Sequence, residues 1–128
     1  MPELSDQQRR KLTTLEPRFA QLRLVEALER KMEIQFVCID CRTSRTWRRD
    51  VMLGRARALL GATMTEIQRR TPCPRCGRRM PAMSAIGGVW DAGELADQFR
   101  WEAISALAEA GLNPGDYGYG WRPPTRAL

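Results

Sequence analysis

Four cysteines carry the clearest chemistry in this sequence. They stand in two CxxC pairs, Cys38-Ile39-Asp40-Cys41 and Cys73-Pro74-Arg75-Cys76-Gly77, with 31 residues between them. A CxxC pair on a tight turn aims two sulfurs at one metal ion. Two such turns complete a thiolate tetrahedron with Zn–S distances of about 2.3 Å. Pro74 stiffens the second turn, and Gly77 supplies the left-handed backbone wanted just after the last ligand. The expected site is therefore one Zn²⁺ held by Cys38, Cys41, Cys73 and Cys76, with no cysteine left over. With all four positions filled by thiolate no place remains for water, so such a zinc is structural rather than catalytic. Two competing chemistries use the same residues. A redox dithiol calls for one CxxC near a βαβ pattern, which the sequence lacks. An iron centre has the same ligand count, although zinc is the commoner occupant.

The rest of the sequence offers little to an enzyme. It contains no histidine, which removes HNH-type nucleases, histidine-based triads and Cys₂His₂ fingers together. P-loop, GxGxxG and GxSxG motifs are absent. Asp91, Glu94 and Asp97 sit at helical spacing and read as a solvated helix N-terminus favoured by the dipole, not an acid–base pair. No catalytic activity is expected. No apolar run reaches 18 residues, and Met1 to Lys11 is polar and charged. No membrane span or signal peptide is expected, and the cytoplasm, where thiols stay reduced, is the expected compartment.

Charge supplies the next clue. The chain carries a net +6, unevenly spread: residues 1–41 are neutral, residues 42–80 carry +9 and residues 81–128 carry −3. Arg42, Arg45, Arg48, Arg49, Arg69, Arg70, Arg75, Arg78 and Arg79 all lie close in sequence to the cysteine pairs. Arginine makes bidentate contacts with phosphate that lysine cannot. A rigid metal fold could gather these side chains on one face, so nucleic acid is the expected partner. The competing outcome is that they pair with this chain's own acidic C-terminal helix or with a partner's acids. Trp47 could stack on a base, but a core role is expected because large apolar residues are scarce nearby. A protein partner is the second expectation, through the amphipathic helix 18–32, the acidic helix 92–110 and the tail aromatics Tyr117, Tyr119 and Trp121, residue types enriched at binding hot spots. Intramolecular packing of those aromatics is the alternative.

The positioning elements can be read from caps and periodicity. Ser5 to Gln8 fits a capping box that opens a short helix. Pro17 fits the first position of a second helix, in which Phe19, Leu22, Val25, Leu28 and Met32 share a face through residue 32, packing within the monomer. Residues 34–37 read as a strand delivering Cys38, and residues 43–48 are β-prone. Asp50 is expected to cap a helix through Leu60, with Gly61 as its stop. Thr63 and Glu66 form another capping box before Pro72. Residues 80–86 read as a return strand ended by Gly87-Gly88. Asp91 to Glu94 opens a last helix carrying Leu95, Phe99, Ile104 and Leu107, with Trp101 adding apolar surface. It is closed by a Schellman-type end at Gly111-Leu112 and the turn Asn113-Pro114-Gly115. The fold class is α+β, in three stretches: helical residues 1–33, a metal module with inserted helices over 34–86, and a helix with a Gly/Pro/aromatic tail over 87–128.

Strand, CxxC knuckle, connecting segment and CPxCG knuckle together resemble a zinc ribbon. The resemblance covers about residues 34–85 and is to small zinc-ribbon proteins of the type found in alphaproteobacteria and their phages. It implies a bound zinc. It leaves the role open, since ribbons occur in transcription factors, polymerase subunits, primases, ribosomal proteins and docking modules.

Overall fold

Alternating burial along β1 (Glu33–Val37) sets the architecture. Ile34 and Phe36 point inward, at 0% and 1% exposure, while their neighbours stay partly solvated. This is the period-two pattern of a strand with one face on a core. The computed structural model describes residues 5–119. In it β1 is the centre of a three-stranded antiparallel sheet, ordered β2-β1-β3, with β2 spanning Ser44–Trp47 and β3 spanning Ala82–Ile86. Ile34 lies opposite Trp47 and Ala85, and Phe36 opposite Arg45 and Met83. Trp47 is buried, and its ring tilts against Phe36 at a centroid distance of 4.5 Å. It is a core residue.

Among the described residues six α-helices accompany the sheet: α1 (Asp6–Thr13), α2 (Pro17–Gln21), α3 (Leu24–Glu29), α4 (Arg49–Leu53), α5 (Met64–Arg70) and α6 (Ala96–Glu109). The capping boxes read at Ser5 and Thr63 are both formed, Ser5 Oγ accepting from the Gln8 amide at 3.2 Å and Thr63 Oγ1 from the Glu66 amide at 3.3 Å. α6 ends as expected. Gly111 takes φ +81°, and the Leu112 amide donates to Leu107 O at 2.9 Å, which is the six-to-one bond of a Schellman end. Together the elements make an α+β fold.

Two expected helices are each broken. The helix read from Pro17 to residue 32 is two, because the backbone at Leu22 to Val25 bonds sideways to another segment. Met64 N donates to Leu22 O, Leu24 N to Ala62 O and Val25 N to Leu60 O, all at 2.9–3.0 Å. The apolar stripe survives the break: Phe19, Leu22, Val25, Leu28 and Met32 are all buried within the chain. The helix expected from Asp50 to Leu60 stops at Leu53. Asp50 lies in its first turn rather than at the cap, and a 3₁₀ turn at Arg57–Leu59 follows. Gly54 permits the bend, since a Cβ there would stand 2.9 Å from Asp50 O.

One core joins all three stretches of sequence. Leu24, Ile34, Leu60, Ile67 and Leu107 belong to a single buried cluster. Gln68 is buried beside it, 4% exposed, with Nε2 donating to Thr13 O at 2.6 Å and Pro81 O at 2.9 Å. That amide ties the end of α1 to the approach to β3. Gln68→Ala leaves two carbonyls without donors, each costing about 1–3 kcal/mol. A loss of roughly 2–6 kcal/mol is expected in urea unfolding. A loss under about 1 kcal/mol would mean that water takes over both bonds.

Candidate metal centre

The two knuckles are built alike, residue by residue. In the first, which turns between β1 and β2, the Cys38 amide donates to Thr43 O at 2.9 Å and the Arg42 amide to Cys38 O at 2.9 Å. In the second, between α5 and β3, the Cys73 amide donates to Arg78 O at 2.7 Å and the Gly77 amide to Cys73 O at 2.8 Å. The residue after each second cysteine is left-handed, Arg42 at φ +61° and Gly77 at φ +77°. Glycine takes that conformation freely. At Arg42 it costs on the order of 1–2 kcal/mol, so the closed knuckle must enforce it.

These turns bring the four sulfurs together. Cys38 Sγ lies 3.5 Å from Cys76 Sγ and Cys41 Sγ 3.6 Å from Cys73 Sγ, and all four lie within 4.8 Å of one another. A tetrahedron with bonds of about 2.3 Å has edges of about 3.8 Å, so the cluster has the dimensions of a four-thiolate metal site. A disulfide requires about 2.05 Å between sulfurs, and all four cysteines are free. The set fits one tetrahedral metal ion.

The electrostatics of the site call for a cation. The Thr43 hydroxyl, 3.1 Å from Cys41 Sγ, and then the Thr43 amide stabilise the Cys41 thiolate, drawing its pKa down to about 6. Amides of Cys76 and Arg75 likewise favour the Cys73 thiolate against the cost of burial. At Cys76 the Arg78 amide favours the thiolate, but contact with Cys38, burial and the remaining sulfurs outweigh it and push the thiol up to about 12. Four adjacent negative sulfurs repel one another. A divalent ion at their centre removes that penalty and lets the last proton leave.

Compared with protein-family models, curated proteins and solved structures, the chain matches none of them. The metal centre therefore rests on its own geometry: four thiols at tetrahedral separations, carried by two turns of matching hydrogen-bond pattern.

Around the sulfurs lies a clamp that no motif announces. Asp40, inside the first knuckle, accepts from Arg9 of α1 at 3.0 and 2.7 Å and pairs with Arg78 Nε of the second knuckle at 3.0 Å. Arg9 first, and then the charge of Arg78, hold the Asp40 carboxyl below its ordinary range despite partial burial. One carboxylate thus ties α1, the first knuckle and the second knuckle together. Asp40 could be seen in the motif. Arg9 stands 31 residues away, and nothing in the spacing links the two.

The nine arginines do not share one environment. Arg45 is half-buried, its guanidinium 4.9 Å above the Phe36 ring and donating to Pro72 O. Arg48 sits 3.9 Å from Glu33 and is exposed. Arg78 belongs to the Asp40 clamp. Arg79 donates to Arg69 O, which sets those two side by side, and Arg70 is exposed beside Arg69 at the end of α5. Arg42 and Arg75 are exposed on the knuckle turns, and Arg49 is exposed near Glu102. Of the aromatics expected to meet a partner, Tyr119 is buried instead: its hydroxyl donates to Glu29 Oε1 at 2.7 Å, and its ring fills the core. Tyr117 is half-buried against that core, and its carbonyl accepts from Arg23. Trp121 lies outside the described residues. Trp101, assigned to the apolar surface of the last helix, is 55% exposed.

Proposed function

We propose that this chain is a zinc-binding regulatory protein that binds nucleic acid, DNA in the first instance, through an arginine-rich surface around a structural Cys₄ site. The matched knuckles, one at the turn of the β1–β2 hairpin and one leading into β3, support a zinc-ribbon reading of residues 34–86. Zinc is the occupant best suited to four thiolates in a closed tetrahedron. The observation that carries the nucleic-acid reading is where the acids lie. Among the described residues, none of the nine arginines forms a salt bridge with an acid of α6; Glu102 pairs with Lys31 instead. Arg42, Arg69, Arg70 and Arg75 form no salt bridge at all among the described residues. A field of exposed, unneutralised guanidinium groups suits a phosphate backbone. The lack of histidine and the closed ligand set support a binding role without catalysis, and free thiols in CxxC pairs support a reducing, cytoplasmic setting.

The test is a salt titration of the zinc-loaded chain with a labelled DNA duplex, followed by anisotropy. The log–log slope should be about −0.9 per phosphate neutralised. Charge reversal of Arg69 and Arg70 together should make it shallower by about 2 with zinc content unchanged. Absence of binding at low salt would overturn the reading.

Docking on another protein is the second reading, favoured by Trp101 and Leu95, 55% and 50% exposed at the acidic last helix. Trp101→Glu together with Leu95→Glu separates the two, since DNA binding should survive the change and docking through that surface should not.

A further inference from the structure

Beside the metal centre lies an open hollow of about 380 Å³. Arg9, Arg10 and Thr13 of α1 form one wall, Arg78, Arg79 and Met80 beyond the second knuckle form the other, and Ile39 contributes from the first knuckle. Four guanidinium groups face this space or its rim. Against them stand Asp6 on the rim and Asp40, which clamps Arg9 and Arg78. Positive charge is in excess by two. Arg10 forms no salt bridge among the described residues and is exposed.

We propose that this hollow is a phosphodiester site, in which the backbone of duplex DNA runs between α1 and the second knuckle, contacted by Arg10 and Arg79. The proposal deepens the nucleic-acid reading above and rests on it. It adds α1, which the distribution of charge along the sequence leaves out, to the binding surface. Three features favour a polymer over a lone anion. The hollow is open to solvent, and its basic character continues past its lining, because Arg79 donates to Arg69 O and so joins the hollow to the arginines closing α5. A single small anion would leave those charges unmatched, whereas successive phosphates match them. The apolar side chains of Ile39 and Met80 in the lining suit a deoxyribose. Met80 is held at φ +62° with its side chain 39% exposed. A bulky residue in that conformation is strained, and such strain gathers at working sites.

The hollow also depends on the two knuckles being held together. Its walls come from α1 and from both knuckles, and Asp40 holds the first two of these to the third. Only the assembled centre brings them within reach of one ligand.

The test uses the zinc-loaded full chain and a short labelled duplex. Arg10→Glu should weaken binding about five- to tenfold at low salt, on any duplex sequence, and make the salt slope shallower by about 1. Arg10→Gln, which only removes the charge and keeps helix propensity, should shift both in the same direction by less. Zinc content and thermal unfolding are measured on each variant, and both should match the parent. If both Arg10 variants bind like the parent while the Arg69/Arg70 reversal loses affinity, the hollow is not part of the interface and the proposal falls, with the nucleic-acid reading intact. If the parent binds no duplex, both fall together. Inorganic phosphate is titrated alone as a second probe. Tight occupancy by phosphate with no effect on duplex binding would assign the hollow to a free anion and overturn the proposal.

Discussion

Removing the metal with a chelator is expected to unfold the knuckles and detach α1. Structural zinc contributes on the order of 10–16 kcal/mol in finger peptides, comparable to the whole stability of an ordinary domain, about 5–15 kcal/mol. The four sulfurs stand between the turns at Cys38–Cys41 and Cys73–Cys76, where one ion would join them, and Asp40 ties both turns to Arg9. Cys73→Ser should produce the same state, because a buried ligand is lost. Circular dichroism and amide exchange would follow it, with protection lost at Thr43, Arg78 and along α1. The effect should depend on pH in one direction. Metal binding requires deprotonated sulfur. Cys76, at about 12 without metal, must release its proton at neutral pH, and Cys41, at about 6, is already largely thiolate there. Binding should therefore release at least one proton near pH 7. It should weaken as pH falls, more steeply as Cys41 also takes up a proton around pH 6. Calorimetry in buffers of different ionisation heat reads the proton count. Unchanged unfolding after chelation, or full metal content in Cys73→Ser, would remove the metal site from this protein.

Tyr119→Ala is the second large effect, with an expected loss of about 3–5 kcal/mol, the range for emptying a large aromatic from a core. The ring is 6% exposed, and its hydroxyl reaches Glu29 Oε1 and the neighbourhood of Val25 O. Burial first, and then the Glu29 carboxylate, push the phenol well above its ordinary range, so the hydroxyl remains a donor at any working pH. Tyr119→Phe keeps the ring and removes only the bond, which should cost about 1 kcal/mol. Urea unfolding separates the two substitutions. If the alanine variant were as stable as the parent, the segment after α6 would be a surface appendage and the partner-contacting role of Tyr119 would return.

The contrast between the knuckles and this tail shows what can be read from a sequence. A CxxC turn is local. Cys73 to Gly77 carries its own stiff residue, its own left-handed glycine and both ligands within five positions, so its geometry follows from its letters. The capping boxes at Ser5 and Thr63 and the Schellman end at Gly111 are local in the same sense, and all three formed as read. The two broken helices are the opposite case. Periodicity placed Phe19 to Met32 on one face correctly, but it is blind to a backbone amide that finds a partner forty residues away, as Leu24 does at Ala62.

The four-cysteine centre and the α+β class were thus determined by the sequence itself, because ligands, turn residues and strand alternation act over a few residues. The surroundings of that centre were decided only by tertiary structure. Asp40 paired with Arg9 and Arg78, Gln68 spanned Thr13 and Pro81, Tyr119 turned inward to Glu29, and Arg10 came to line a hollow beside Arg79. Each of these joins segments far apart in the chain. Such contacts depend on which surfaces meet when the core closes, and no short-range propensity encodes that meeting.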